Sequence, residues 1–309
     1  MNRRRFLFGA GALAAAGTFG LAFSSAKRGA TATTVAPPSD QSPAATTSAT
    51  SLGVGRVTSG TLTSAVLRRS LPYTVYLPPG YDADPSARYP TLYMLHGGSG
   101  TNREWIDYGL LGAADALMGP GVIAPFVIVL PQGDQEYWVD HVVDPRTGAN
   151  GERWGTYTAT EVVPTIDSRY RTLAQADARA IGGLSMGGHG AMQLAMNFPG
   201  IWSAIGAHSP SLRPVGDAPT YLGVGGDFAA RDPLSLVKAK PSLARTYAWW
   251  IDSGDVDPWV SQARAIRDTL DGLGIANEWP GWAGDHSLAY WSAHVADYLA
   301  YYASAFASG

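Results

Sequence analysis

The sequence Gly183-Leu184-Ser185-Met186-Gly187 constrains the fold more than any other feature, because of what lies on either side of it. An apolar run at residues 178–181 predicts a buried strand before it, and residues 187–197 have a helical pattern after it. Strand and helix must therefore meet in a very tight turn. The two outer glycines free the backbone of that turn, which exposes Ser185 above the edge of a sheet.

The same alternation of elements runs through the chain from about residue 73 onward. Short apolar runs predict strands, and runs with a period near 3.6 residues predict helices between them. The predicted strands are residues 73–77, 90–95, 126–130, 178–181, 201–208, 247–251 and 276–279. The predicted helices are residues 109–117, 157–170, 187–197, 259–273 and 290–307. This alternation requires crossover connections, so we expect an α/β fold with a mostly parallel sheet.

Residues 1–26 have the pattern of a targeting segment. The basic head Arg3-Arg4-Arg5 leads into an apolar stretch that ends in small residues. Paired arginines followed by Phe6-Leu7 are typical of a twin-arginine signal, which addresses a folded protein for export. An uncleaved membrane anchor is the alternative, and the small residues at the end favour cleavage. The protein is thus predicted to be secreted or extracytoplasmic, touching a membrane only through an uncleaved signal.

Composition sets the remaining limits. Residues 27–52 are rich in Ala, Thr, Ser and Pro and predict a disordered linker, which leaves residues 53–309 as a single domain. The absence of cysteine excludes a thiol nucleophile and disulfide bonds. The net charge of −3, which would be more negative without the signal, predicts no nucleic-acid partner. Histidines and carboxylates lack the spacing of ligands, so neither metal nor cofactor is predicted.

Two glycine-rich turns carry the predicted chemistry. Ser185 is the candidate nucleophile, and the helix after it presents free N–H groups and a positive dipole end to a developing oxyanion. The second turn, Leu95-His96-Gly97-Gly98-Ser99-Gly100, follows a predicted strand, and its backbone can approach a substrate carbonyl. The N–H groups of Gly98 and Met186 are the predicted oxyanion donors. Each turn alone also fits an ordinary tight turn, but their order along the chain strengthens both interpretations.

A serine hydroxyl needs a base to remove its proton, and the chain offers six histidines. His286 lies between the last predicted strand and the last predicted helix, which is where the base of such a fold belongs. It is the predicted general base. The other five are disfavoured by position: His96 in the oxyanion turn, His189 on the helix after Ser185, His141 and His208 ahead of the acid, and His294 inside the last helix.

The acid that orients the base is expected after the strand at 247–251, where Asp252, Asp255 and Asp257 follow one another. Asp252 falls at the end of the strand and Asp255 in the turn. Asp257 precedes Pro258, which can open the next helix, so a helix N-cap is its alternative role. Spacing alone does not separate Asp255 from Asp257.

Together these motifs resemble the putative-esterase family of α/β-hydrolases, which includes S-formylglutathione hydrolases, feruloyl and acetyl-xylan esterases and secreted mycolyltransferases. The similarity covers nearly the whole predicted domain. It is carried by residues 73–81, 93–97, 105, 183–188, 254–258 and 284–287.

The resemblance implies an α/β-hydrolase fold, with a mostly parallel central sheet and helices on both faces. It implies that Asp257 is the acid, because it is the second Asp of the Gly254–Pro258 run, and that Gly98 is an oxyanion donor. Mycolyltransferases use a later Glu as the acid, and no Glu lies between Glu161 and Glu278, so that branch fits less well.

The sequence therefore predicts an exported serine esterase that forms an acyl-enzyme on a small-molecule or polymer-linked ester. Export disfavours a cytosolic thioester such as S-formylglutathione. Acyl transfer to a sugar or lipid hydroxyl is one alternative, and a binding protein that keeps the fold without the chemistry is another. Residues 211–245 are candidates for a small cap over the site. Four aromatic residues in predicted loops are candidates for pocket or core: Trp105, Tyr137, Trp138 and Trp154.

Overall fold

A computed structural model describes residues 53–144, 146–149 and 151–308. The predicted signal and linker, residues 1–52, lie outside the described residues. In the described part of the chain, none of the helices has both the length and the apolar character that a bilayer span requires.

The described residues form one central sheet of seven strands. These are β1 (Arg56–Ser64), β2 (Arg69–Leu77), β3 (Thr91–Leu95), β4 (Val127–Pro131), β5 (Arg179–Leu184), β6 (Ala204–His208) and β7 (Ala248–Asp252). Their order across the sheet is β1-β2-β4-β3-β5-β6-β7. β1 pairs with β2 and β2 with β4 in antiparallel fashion, whereas β3 to β7 are parallel. The predicted α/β fold with a mostly parallel sheet is confirmed.

Helices connect the strands and pack on both faces of the sheet. They are α1 (Glu104–Asp107), α2 (Leu110–Met118), α3 (Trp154–Tyr157), α4 (Val163–Arg169), α5 (Met186–Asn197), α6 (Gly225–Ala229), α7 (Pro233–Ala239), α8 (Pro241–Ala244), α9 (Val260–Gly272) and α10 (Leu288–Ser308). Side chains alternate along β3: Tyr93 joins the apolar cluster that contains α4, α5, α7 and α9, whereas Leu92 and Met94 join the one that contains α2 and α10.

Two strand predictions differ from the structure. β1 was missed because its sequence, RVTSGTLTS, has few apolar residues, and most of its side chains are exposed or half-buried at the edge of the sheet. Residues 276–279, predicted as a last strand, form only a bridge between Glu278 and Trp250. Pro280 follows directly after this segment and has no N–H with which to continue the ladder.

Two helical segments also differ from expectation. The predicted helix at 157–170 is interrupted by a π turn (Thr158–Val162), which lies just before Pro164. That proline has no N–H to donate to the carbonyl four residues earlier, so the regular helical ladder cannot run through it. The segment 211–245 contains α6, α7 and α8 and forms no separate cap, because Leu236 and Val237 of α7 are buried in the same cluster as α5 and α9.

The register of the parallel strands aligns their carboxyl ends. Leu95 pairs with Gly183, Leu184 with His208, and His208 with Asp252. The loops after β3, β5, β6 and β7 therefore start side by side along one edge of the sheet, where open α/β sheets gather their functional groups.

Candidate active site

Ser185 lies at the turn between β5 and α5, with φ of 52° and ψ of −115°. The structure explains why glycines flank it. A Cβ on Gly183 would lie 2.5 Å from the carbonyl carbon of Gly187, and a Cβ on Gly187 would lie 2.5 Å from the carbonyl oxygen of Leu95. Both distances are far inside van der Waals contact, so the turn closes only when both residues lack side chains.

Two hydrogen bonds join the three residues predicted as nucleophile, base and acid. Nε2 of His286 lies 2.8 Å from Oγ of Ser185, and Nδ1 of His286 lies 2.8 Å from Oδ2 of Asp257. The Asp257 side chain is fully buried, whereas that of His286 is 22% exposed. The arrangement can pass the Ser185 proton to an imidazole whose other nitrogen is held by a carboxylate.

The three carboxylates that follow β7 occupy three different environments. Asp257 contacts His286, whereas Asp255 accepts a hydrogen bond of 2.9 Å from the N–H of Gly284 and so holds the loop that precedes the base. Asp252 is buried and bonds to a different histidine, His208. Of the two candidates that spacing left open, Asp257 is the one that contacts His286.

Asp257 receives three donors. Besides His286, the hydroxyl of Ser209 donates to its Oδ2, and the N–H of Trp259 donates to its Oδ1 at 2.7 Å. Burial acts to raise the pKa of Asp257, but these three hydrogen bonds outweigh it and lower the pKa below the ordinary value. The side chain is therefore ionised and can stabilise a positive imidazolium. α9 begins only at Val260, so Asp257 and Pro258 both precede it.

Residues 96–100, hereafter the oxyanion loop, form a turn beside Ser185. The N–H of Gly100 donates to the carbonyl of Gly97 at 3.1 Å, and Ser99 has a positive φ of 67°. In the described ranges the N–H of Gly98 has no protein acceptor, and that of Met186 has no helical one because α5 begins there. These are the two groups predicted to bind an oxyanion.

His96 is the first residue of the oxyanion loop, and its side chain is neutral. Its Nε2 accepts the N–H of Gly133 at 3.0 Å, so its proton is on Nδ1, which donates to the carbonyl of Gly97 at 2.9 Å. Burial lowers the pKa of His96 to about 4. Burial likewise lowers the pKa of His189, whose Nε2 bonds to the carbonyl of Arg231, to about 4. Neither ring is placed to act on Ser185.

Comparison with known proteins is consistent with this geometry. Residues 64–302 match the protein family described as Putative esterase. The chain belongs to this family. An esterase of Mycobacterium tuberculosis is 34% identical over 135 residues, which are 44% of this chain and 28% of that protein. The chain thus spans little more than a quarter of that relative's length.

Two further comparisons cover most of the chain. S-formylglutathione hydrolase of Bos taurus is 26% identical over 269 residues, covering 78% of this chain and 90% of that protein. A solved ferulic acid esterase superposes with a TM-score of 0.71 at 25% identity, covering 82% of this chain and 99% of the other. The α/β-hydrolase fold implied by the sequence is confirmed.

A second histidine–aspartate pair lies under the site of this Putative esterase family member. Nδ1 of His208 lies 2.8 Å from Oδ2 of Asp252, and both side chains are fully buried. Asp252 accepts three more hydrogen bonds, which come from Trp250 Nε1 and from the hydroxyls of Tyr290 and Tyr298. The main chain of the same two residues reaches the site, because the carbonyl of His208 accepts the N–H of Ser185 and that of Asp252 accepts the N–H of Ser209.

The aromatic residues considered as pocket candidates are core residues of this esterase-family domain. Trp105, Trp138 and Trp154 are at most 1% exposed, and Tyr137 is 7% exposed. Trp249 and Trp250 of β7 are also buried. Sequence reasoning missed Ser209, whose role depends on the loop after β6 folding against Asp257, and no motif around it signals this contact.

Proposed function

We propose that this chain is a serine carboxylic-ester hydrolase that works through an acyl-enzyme on Ser185. The observation that carries the proposal is the continuous pair of hydrogen bonds from Ser185 Oγ to His286 to Asp257, both 2.8 Å long. Membership of the Putative esterase family supports it. A binding protein would have no need for this alignment of hydroxyl, imidazole and carboxylate.

In the proposed mechanism, Ser185 Oγ attacks the ester carbonyl while Nε2 of His286 accepts its proton. The carbonyl oxygen becomes an oxyanion, which the N–H groups of Gly98 and Met186 stabilise, each by about 3 kcal/mol. The bond to the alcohol breaks as His286 returns the proton to the leaving oxygen. Asp257 holds the imidazole and balances its positive charge. Water, activated by the same base, then releases the acid and frees Ser185.

The decisive assay is hydrolysis of p-nitrophenyl acetate, butyrate and octanoate, and of methyl ferulate, by the domain of residues 53–309. We expect Ser185→Ala to lower kcat by more than about 10⁴-fold. Ser261→Ala is the matched control, because Ser261 is an exposed serine on α9 whose hydroxyl bonds to Gln262. A fluorophosphonate should label Ser185, as located by mass spectrometry. Wild-type protein that neither turns over nor labels would refute the hydrolase and favour the binding protein.

Acyl transfer shares the acylation half-reaction, so the same assay separates it by its products. When glycerol or glucose is added, a hydrolase releases mainly the free acid, whereas a transferase yields the new ester. The early position of Asp257 differs from the later Glu that the resemblance gives to mycolyltransferases, so we expect the free acid.

We further propose that the protein is exported by the twin-arginine route and acts on polymer-linked or lipid esters outside the cytoplasm. The support is Arg3-Arg4-Arg5-Phe6-Leu7 at the head of an apolar stretch. Replacing all three arginines by lysine keeps the charge and removes the motif. We expect the variant to stay in the cytoplasm of its producing cell, and unchanged export would refute the route.

A further inference from the structure

Glu104, in the short helix α1, faces the oxyanion loop. Its Oε2 accepts the N–H of Gly97 at 2.6 Å, and its Oε1 accepts the hydroxyl of Tyr108 at 3.1 Å. Its carboxylate pairs with no lysine or arginine in the described part of the chain. A half-buried carboxylate without a cation is costly to desolvate, and burial raises the pKa of Glu104. The hydrogen bonds from Gly97 and Tyr108 act in the opposite direction and compensate part of this cost.

We propose that Glu104 is a positioning residue for the oxyanion loop, which holds the N–H of Gly97 so that the neighbouring N–H of Gly98 stays available to the substrate. The inference rests on the proposed ester hydrolysis, since it concerns how the oxyanion donor is presented.

The contacts of Gly97 show how Glu104 holds the oxyanion loop; this set of contacts is hereafter the Glu104 clamp. Its N–H is taken by Glu104, and its carbonyl accepts both the N–H of Gly100 and Nδ1 of His96. Both peptide groups that flank the Gly97 Cα are thereby fixed, and with them the direction of the next N–H along the chain. Without Glu104, the N–H of Gly97 would lose its acceptor, and the peptide group before the Gly97 Cα would no longer be fixed.

Glycine at position 100 makes room for this clamp. A Cβ added to Gly100 would collide with the carboxylate of Glu104, whereas one added to Gly98 would meet nothing within 4 Å. Gly100 is therefore needed for the close approach of Glu104. Gly98 has open space on its Cβ side and is exposed.

A chain of aromatic contacts connects the Glu104 clamp to His286. The ring of Tyr108, whose hydroxyl bonds to Glu104, stacks on Trp291 with a centroid distance of 5.9 Å and an interplanar angle of 3°. Trp291, which is 4% exposed, meets the imidazole of His286 edge to face at 4.9 Å. One run of contacts thus joins the oxyanion loop to the general base, so disturbing Glu104 should affect the chemical step more than substrate binding.

Two substitutions separate an acceptor role from a charge role. Glu104→Leu keeps the approximate size and removes both acceptors. Glu104→Gln keeps one oxygen for the N–H of Gly97 and turns its amide toward Tyr108, whose hydroxyl oxygen can accept instead of donate. Glu161→Leu is the matched control: Glu161 also holds backbone N–H groups, those of Ala65 and Val66, but at the β1–β2 hairpin.

The experiment measures kcat and KM with p-nitrophenyl butyrate and the rate of fluorophosphonate labelling. We expect Glu104→Leu to lower kcat and the labelling rate by about 10- to 100-fold, less than the loss of a whole oxyanion donor, while KM changes by less than about threefold. Glu104→Gln should stay within about threefold of wild type. Glu161→Leu should change the melting temperature and leave kcat in place.

The inference is overturned if Glu104→Leu is as active as wild type, or if Glu104→Gln loses as much activity as Glu104→Leu. If Glu104→Leu does not fold, Tyr108→Phe takes its place: it removes only the hydroxyl bonded to Glu104, and it should lower kcat several-fold with KM unchanged, an unchanged kcat being the refuting result. A wild type that neither hydrolyses the ester nor labels Ser185 would instead refute the proposed function, and the inference with it.

Discussion

Ser209→Ala tests how far the acid depends on its second hydrogen bond. The Ser209 hydroxyl donates to Oδ2 of Asp257, the same oxygen that faces His286, and both side chains are buried. A hydrogen bond to a charged group contributes about 1.5–3 kcal/mol to stability. Alanine keeps the Cβ, so the strain of the positive φ of 50° at this position is unchanged. We therefore expect the free energy of unfolding at pH 7 to fall by about 2 kcal/mol, with a melting temperature lower by about 4–8 °C.

The loss in free energy of unfolding caused by Ser209→Ala should become smaller as the pH falls. Hydrogen bonds lower the pKa of Asp257 in the folded state, so their stabilisation is complete above the unfolded value of about 3.9 and is lost as the pH falls through the folded value. The gap between variant and wild type should narrow accordingly in acid. We also expect kcat to fall by about tenfold, because His286 loses part of its anchoring.

Ser253→Ala provides the matched control. Ser253 is the residue after β7, as Ser209 is the residue after β6, and its buried hydroxyl has no hydrogen-bond partner among the described residues. Removing it should leave the free energy of unfolding unchanged or slightly raised. The test is to measure the free energy of unfolding in urea and the kcat of ester hydrolysis for both variants. Equal stability and equal kcat for the two would refute the reasoning.

Three further predictions follow from the site. Asp257→Asn should lower kcat by about 10⁴-fold, whereas Asp255→Asn, which can still accept a backbone N–H, should stay within about tenfold; similar losses in kcat would refute the assignment of the acid. Asp252→Ala leaves four buried donors unpaired and should lower the free energy of unfolding by more than about 3 kcal/mol in urea titrations, a loss that a solvated aspartate would not show. Burial lowers the pKa of His96 and His189 to about 4, so the stability they contribute should be complete above about pH 6.5 and should fall as the pH drops toward 4. At pH 5 the free energy of unfolding should be lower by about 2 kcal/mol for each histidine. Equal urea midpoints at pH 7 and pH 5 would contradict this.

The parts of the fold that sequence predicts well are those with a strong apolar pattern. β3 and β4 are buried along their whole length, and their apolar runs mark them to within one residue. β5 is also buried throughout, but the run that predicts it ends three residues before the strand does. β1 has an exposed face and was missed, whereas residues 276–279 were predicted as a strand but pair at a single bridge. A pattern shows that a segment can be buried, but it does not show whether a neighbour is positioned to pair with it.

The candidate site likewise contains residues that the sequence predicts and residues that it does not. Ser185 and the oxyanion loop are predictable because their turns require glycine, and a backbone requirement leaves a trace in local sequence. Asp257 and Asp255 are two residues apart, and only the folded loop shows that one faces His286 and the other Gly284. Ser209 lies 48 positions from Asp257, and a single sequence carries no local signal for such a contact. Glu104 lies only 7 positions from Gly97, but no motif shows that its carboxylate accepts that N–H.

The positions of the site residues along the chain determine how late in synthesis and folding the site can form. The hydrogen bond between Ser185 and His286 spans 101 positions, and α10, whose tyrosines reach Asp252 beneath the site, comes after both. A chain still being synthesised therefore contains Ser185, the proposed nucleophile, long before His286, the proposed base. Contacts between such distant positions form late and slowly in folding. A nascent chain that ends before His286 would accordingly lack the partner of the Ser185 hydroxyl, so the proposed hydrolytic activity would report only on chains that extend past this residue.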